Sequence, residues 1–149
     1  MRIVVQRVAS AQVDVGGRCE SRIGTGLLVY LGVGLEDTPE DAVYLAEKIR
    51  YLRIFEDEDG RLNRDVIDAG GAVLVVSAFS LLADARKGRR PSFAAAAPAE
   101  KAVVLYDQFC ALLTARGATV ESGLFRATMS VQSINDGPVC ILLDSGKRF

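Results

Sequence analysis

Gly26-Leu27-Leu28-Val29-Tyr30-Leu31-Gly32-Val33 carries no charge and is apolar at odd and even positions alike. A strand with one wet face alternates polar and apolar residues, and one that does not alternate is covered on both faces. The stretch therefore predicts a central strand with structure packed above and below it. Upstream, Ile3, Val5, Val8, Val13 and Val15 mark a strand over residues 2–15, and Gly16-Gly17 is a two-residue hairpin turn into a second strand ending near Ile23. Gly24-Thr25-Gly26 reads as a break. Downstream, Thr38-Pro39-Glu40-Asp41 has the form of a helix start, with Thr38 as cap, proline at the first helical position and acids in the first turn. Leu45, Ile49 and Leu52, flanked by Ala42 and Ala46, form its inward stripe, which leaves Lys48, Arg50 and Arg53 mostly solvated.

Ala72 to Val76 reads as a second buried strand, and Ala94–Ala97 as the approach to a helix opened by Pro98. Val104 or Leu105, Phe109, and Leu112 or Leu113 face inward on that helix, with Gly117 just past its end. Met129, Val131 and Ser133, then Val139, Ile141 and Leu143, alternate as strands near the C-terminus. The expectation is one α/β domain over residues 1–149, with mixed, largely antiparallel sheets and two main helices covering one side.

Composition narrows the chemistry. Half of the 149 residues are hydrophobic and a quarter charged, as in ordinary globular proteins. No apolar run approaches the ~20 residues that span a bilayer, and Arg2 brings a charge too early for a signal peptide. Cys19, Cys110 and Cys140 are odd in number and unpaired in spacing, so a reduced, cytoplasmic protein is expected. The chain contains no histidine. Ser-His-Asp and Cys-His catalysis are thereby excluded, and a zinc site of the usual ligands is disfavoured. The acidic run Glu56-Asp57-Glu58-Asp59-Gly60 reads as a turn, because it lacks the ligand spacing of a calcium loop. A net charge of −1 argues against wrapping long stretches of nucleic acid but allows a local basic patch.

Two segments carry chemistry. In Ile134-Asn135-Asp136-Gly137-Pro138-Val139-Cys140 a Gly-Pro bond lies between two apolar runs. It reads either as a tight turn or as a device that aims backbone carbonyls where a regular strand cannot, since an X-Pro bond reaches cis at a cost of roughly 0.5–1 kcal/mol. The other segment follows the strand ending at Val76. Ser77 and Ser80 supply hydroxyls, the turn after the strand frees backbone N–H groups, and Phe79 and Phe93 offer rings. Arg86, Lys87, Arg89 and Arg90 make four of five successive residues basic, which reads either as a solvated loop or as a phosphate-binding patch for a short single-stranded end.

Taken together, these segments resemble the bacterial D-aminoacyl-tRNA deacylases over essentially the whole chain. The similarity rests on Met1–Val8, Gly26–Val33, Lys48–Phe55, Asp84–Phe93 and the Asn-x-Gly-Pro-Val motif at Asn135–Val139, all in the family's order. The resemblance implies a homodimer whose active site lies at the subunit interface, with Gly137 and a cis Pro138 of one subunit reaching into the other. It further implies that backbone N–H groups of Phe79 and Ser80 form an oxyanion hole beside Ser77. Arg86, Lys87, Arg89, Arg90 and Phe93 would then hold the 3′ end of an aminoacylated tRNA. The implied reaction is hydrolysis of the D-aminoacyl ester, and of glycyl-tRNA mischarged on tRNA-Ala. No metal or organic cofactor is implied, and neither DNA nor a membrane is an expected partner.

This chain departs from the family pattern in several places. Ser77-Ala78-Phe79-Ser80-Leu81 stands where Ser-Gln-Phe-Thr-Leu is usual, Cys140 replaces a threonine, and Arg126 occupies a common glycine position. These departures motivate an alternative, a catalytically impaired dimer that binds the tRNA end. A third reading is a related deacylase with a trans Gly-Pro bond and altered chiral selectivity.

Overall fold

The computed structural model describes residues 1–148. β1 (Arg2–Val15) turns at Gly16-Gly17, both at positive φ, into β2 (Arg18–Ile23), the geometry a type I′ hairpin needs. β3 (Gly26–Gly32), α1 (Pro39–Arg50), a small hairpin of β4 (Phe55–Glu56) and β5 (Leu62–Arg64), and β6 (Ala72–Ser77) follow. A 3₁₀ turn over Phe79–Leu82 precedes α2 (Ala99–Ala115), β7 (Thr119–Ser122) and β8 (Met129–Asp144). In the main sheet β1 pairs antiparallel with β2, β3 and β8, while β3–β6 and β6–β7 are parallel. The fold is the expected α/β class with predominantly antiparallel pairing.

β3 is the covered central strand. Leu27, Val29 and Leu31 pack with Val73 and Val75 against Leu45 and Ile49 of α1 and Leu105, Phe109 and Leu113 of α2. Leu28 faces the other way, into a second cluster with Leu74, Val76, Val8, Val13 and Ile23. The helices thus cover one face, as their stripes predict, and the β1–β2 hairpin covers the other. Register shifts in the β1–β8 ladder between Gln6 and Ser10 mark where β1 passes from the first cluster to the second; such bulges bend a strand and increase its twist.

Three local readings change. Gly26 is the first residue of β3 rather than part of a loose break, and a Cβ there would lie 1.9 Å from the Ala72 carbonyl oxygen, so glycine permits the close β3–β6 approach. Arg50 is not solvated: its guanidinium pairs with Asp65 at 2.7 Å and donates to the Arg116 carbonyl at 3.1 Å, tying α1 to the end of α2. Residues 134–140 are no turn between two strands. β8 continues through them in one direction, bulging where Cys140 pairs with Gln6 and Asn135 with Val8.

Candidate active site

At the end of β6 the parallel ladder with β3 closes when the Ala78 N–H donates to the Leu31 carbonyl at 2.8 Å. The 3₁₀ turn then begins, and the Leu81 N–H returns to the Ala78 carbonyl at 3.1 Å. Phe79 and Ser80 are the first residues of that turn, where N–H groups have no partner within the helix. The turn lies against β3 because Gly32 has no side chain: a Cβ there would be 2.5 Å from Leu82 Cδ2 and 2.9 Å from the Ala78 carbonyl oxygen. Arg2 holds its far end, donating from Nη1 to the Leu81 carbonyl at 3.0 Å and from Nε to Asp144 at 3.0 Å.

A cavity of about 340 Å³ opens beside the turn. Ser77, Ala78 and Phe79 form one wall, Ala102 and Tyr106 of α2 another, and Phe125, Arg126 and Ala127 a third. Tyr106 is fixed by donating its hydroxyl to the Val75 carbonyl at 2.8 Å, and burial pushes its phenol pKa up, so it acts as wall rather than as a mobile acid. Ser77 and Phe79 line the cavity, whereas Ser80 is exposed and does not line it.

Phe79 is 61 % exposed and meets Phe93 edge to face, with ring centroids 4.9 Å apart. Between them a loop is closed at its neck by two backbone bonds exchanged by Asp84 and Ser92, at 2.7 and 2.8 Å. The four basic residues lie on it, all exposed. Arg86 is already committed, forking onto the Asp84 carboxylate at 2.9 and 2.7 Å and holding that carboxyl far below its usual range. Lys87, Arg89 and Arg90 make no ion pair among the described residues. Their positive charge is therefore the part of the patch open to an anion.

Gly137 and Pro138 are exposed on β8 and do not line the cavity of their own chain. Their peptide bond is cis, and Gly137 has a φ of +121°. The bulge that presents them is pinned from beneath by Arg7, which is buried. The guanidinium donates to the Ile54 carbonyl at 2.7 Å and the Asp136 carbonyl at 3.2 Å, and pairs with the Asp136 carboxylate at 3.1 Å. Asn135 Oδ1 accepts the Val139 N–H at 3.1 Å and closes the bulge. Sequence reasoning passed over Arg7 as part of a strand. Its signal was parity: it follows Ile3 and Val5 on the inward-facing positions of β1, where a charge requires a partner.

Elsewhere, the acidic run forms a tight turn in which the Asp57 carboxylate accepts the N–H groups of Asp59 and Arg61, each at 3.0 Å. No helix among the described residues is long and apolar enough to cross a membrane.

Comparison with known proteins gives the family of the chain. The family model described as D-Tyr-tRNA(Tyr) deacylase matches residues 4–144. D-aminoacyl-tRNA deacylases of Desulforudis audaxviator (strain MP104C) and Koribacter versatilis (strain Ellin345) are 56% and 57% identical, each aligned over all 149 residues and the whole relative. A solved structure called c-Myc DNA Unwinding Element Binding Protein superposes with a TM-score of 0.91 at 42% identity, covering 97% of this chain and 98% of that one. A probable eukaryotic D-amino acid tRNA deacylase shares the fold, with a TM-score of 0.83 at 19% identity over 95% of this chain and 97% of that one. With the family model matched from residue 4 to 144 and relatives more than half identical along the entire chain, this protein belongs to the D-aminoacyl-tRNA deacylases, hydrolases that cleave the ester between a D-amino acid and tRNA.

Proposed function

We propose that the 3′-terminal aminoacyl-adenosine of tRNA enters the cavity beside Phe79 and is held there by two subunits. The ester carbonyl oxygen turns toward the backbone N–H groups of Phe79 and Ser80, which stabilise the oxyanion as water adds to the carbonyl carbon. Such donors contribute about 2.7–4 kcal/mol each in other hydrolases. The acyl–oxygen bond then breaks and the 3′ oxygen leaves as a hydroxyl, with the neighbouring 2′-hydroxyl of the substrate carrying the proton. A chain without histidine suits chemistry in which protein side chains move few protons.

Selectivity resides in the partner subunit. The carbonyls of its Gly137 and Pro138 bind the α-ammonium and fill the space that an L side chain would need, so discrimination comes from exclusion. Glycine, having no side chain, is accepted, and glycyl-tRNA mischarged on tRNA-Ala becomes a second substrate. Lys87, Arg89 and Arg90 contact RNA phosphates, with Phe93 beside Phe79 as an apolar shelf. The reading places the enzyme in the cytoplasm with its substrate. Duplex DNA is not part of it, because a net charge of −1 provides no general basic surface.

The observation that carries this reading is the separation of two built features. The cavity lies beside the donor turn, while Gly137-Pro138 sits exposed on a bulge pinned by Arg7 and does not line that cavity. Exposed Ile134 and Leu142 lie on the same strand, an apolar surface suited to a second copy. The test is deacylation of D-tyrosyl-tRNA, L-tyrosyl-tRNA and glycyl-tRNA by purified protein with chelator present. Loss of the D and glycyl esters with the L ester spared is expected. Equal hydrolysis of the L ester would overturn the chiral assignment, and survival of all three esters on bound tRNA would leave an end-binding dimer.

A further inference from the structure

Arg126 has a φ of +64°, one of two non-glycine residues in the left-handed region among those described. It occupies the third position of a turn closed by the Ala127 N–H on the Leu124 carbonyl at 3.1 Å. A turn needing positive φ at that place is made most easily by glycine. The turn itself therefore gains nothing from arginine, and the reason for the residue lies in where its side chain goes. Arg126 is the one charged residue among those lining the cavity. The side chain is exposed and makes no ion pair among the described residues. Phe79 stands in the cavity wall and leads through Phe93 to the loop bearing Lys87, Arg89 and Arg90. The cavity is thus apolar within, with uncommitted cations on its Phe125–Ala127 wall and on the loop beyond Phe79. That charge pattern matches a nucleoside inserted into the cavity with its phosphodiester chain left outside.

We propose that Arg126 binds a phosphate of the single-stranded 3′ end of the tRNA, as a docking contact added to the basic loop. The proposal rests on the deacylase reading given above. A guanidinium suits the role because its fork of donors matches phosphate oxygens.

The experiment compares wild type with Arg126→Gly and Arg126→Lys on two substrates, D-tyrosyl-tRNA and the D-tyrosyl ester of adenosine, which has no phosphate. Glycine is at ease at this φ, so a thermal melt is expected to show no loss of stability in Arg126→Gly. On the tRNA ester, Arg126→Gly is expected to raise KM about tenfold, as for one lost charged hydrogen-bonded contact. Its log–log dependence of binding on salt should be shallower by about 0.7, the share of one single-strand phosphate. Lysine should restore the salt slope. On the adenosine ester the rise in KM should be much smaller than on the tRNA ester. An unchanged salt slope, or an equal defect on the adenosine ester, would overturn the proposal; the latter would mean that Arg126 reads the base or acyl group. Should wild type cleave neither ester, the deacylase reading fails, and binding of an uncharged CCA-ended RNA hairpin decides on Arg126 alone: a salt slope that Arg126→Gly leaves unaltered rejects it.

Discussion

A methyl group on Gly137 would lie 2.8 Å from Arg7 Nη2 and 2.9 Å from Val139 Cγ2, on a backbone at φ +121°. Only glycine occupies that backbone region without strain, and other residues there cost about 1–3 kcal/mol. Gly137→Ala should therefore shift the bulge rather than unfold the domain. Turnover of D-tyrosyl-tRNA should fall by a factor of about 100 or more, while the thermal midpoint drops by only a few degrees. Full activity in this variant would remove Gly137-Pro138 from the mechanism. Cys110 makes a second prediction at this scale. Burial, with Asp107 adding to it, pushes its thiol up to about 12 from an ordinary value near 9. The raised value favours the neutral thiol in the folded state. Its contribution to stability is thus complete below pH 9 and is lost as pH rises toward 12. At pH 8, iodoacetamide should modify exposed Cys19 readily and Cys110 only after unfolding, as read by peptide mass spectrometry.

At the scale of elements, the central strand decides the architecture. Leu27 and Leu28 are adjacent and both fully buried, yet they belong to different clusters. Leu27→Ala and Leu28→Ala should each destabilise the protein by about 2–5 kcal/mol in denaturant unfolding, the range for a leucine deleted from a packed interior. A surface strand would show that cost at one position only. If Leu28→Ala cost under about 1 kcal/mol, the β1–β2 hairpin would be a loose flap rather than a second core layer. The same strand sets the donor turn, because the Leu31 carbonyl fixes the Ala78 N–H and Gly32 leaves room for Leu82.

For the whole molecule, the proposed two-subunit site makes a prediction, because in that reading neither half is complete in one chain. Ser80→Pro removes one donor from the turn, an N–H with no partner within the helix, and Gly137→Ala damages the bulge. Each variant alone should be nearly inactive. Mixed after dissociation and reassociation, they should form hybrid dimers in which one subunit contributes an intact turn and the other an intact Gly137. Random pairing puts half the dimers in that state with one working site of two, so about a quarter of wild-type activity should return. No recovery in a mixture shown to exchange subunits would mean that each cavity is served by its own chain.

Local pattern was enough for much of this protein. Leu27–Leu31 announce a doubly covered strand because burial on two faces removes polar residues from both parities. Thr38-Pro39 opens α1 because capping and a preset φ act within one turn, and the Asp41 carboxylate accepts the Thr38 N–H at 2.8 Å. Spacing alone left α2 ambiguous between neighbours, and packing chose Leu105 and Leu113 while leaving Val104 exposed. The residue types of the proposed site were likewise legible, since Ser77 ends a strand, Phe79 follows it and the basic run is nearly contiguous. Their partners were not, because those contacts close long loops of chain. Arg7 reaches Asp136 and Ile54 only once β1, β8 and the segment after α1 have docked. Arg86 is the exception, since its partner Asp84 is only two residues away. The sequence by itself determined the elements, the buried stripes and the chemistry available, all consequences of periodicity and side-chain type. Tertiary structure alone decided that a hairpin covers the sheet's second face and that Gly137-Pro138 sits exposed on β8, outside the cavity of its own chain. Both depend on the register shifts between β1 and β8, which pair the two ends of the chain and so leave no local trace in either strand.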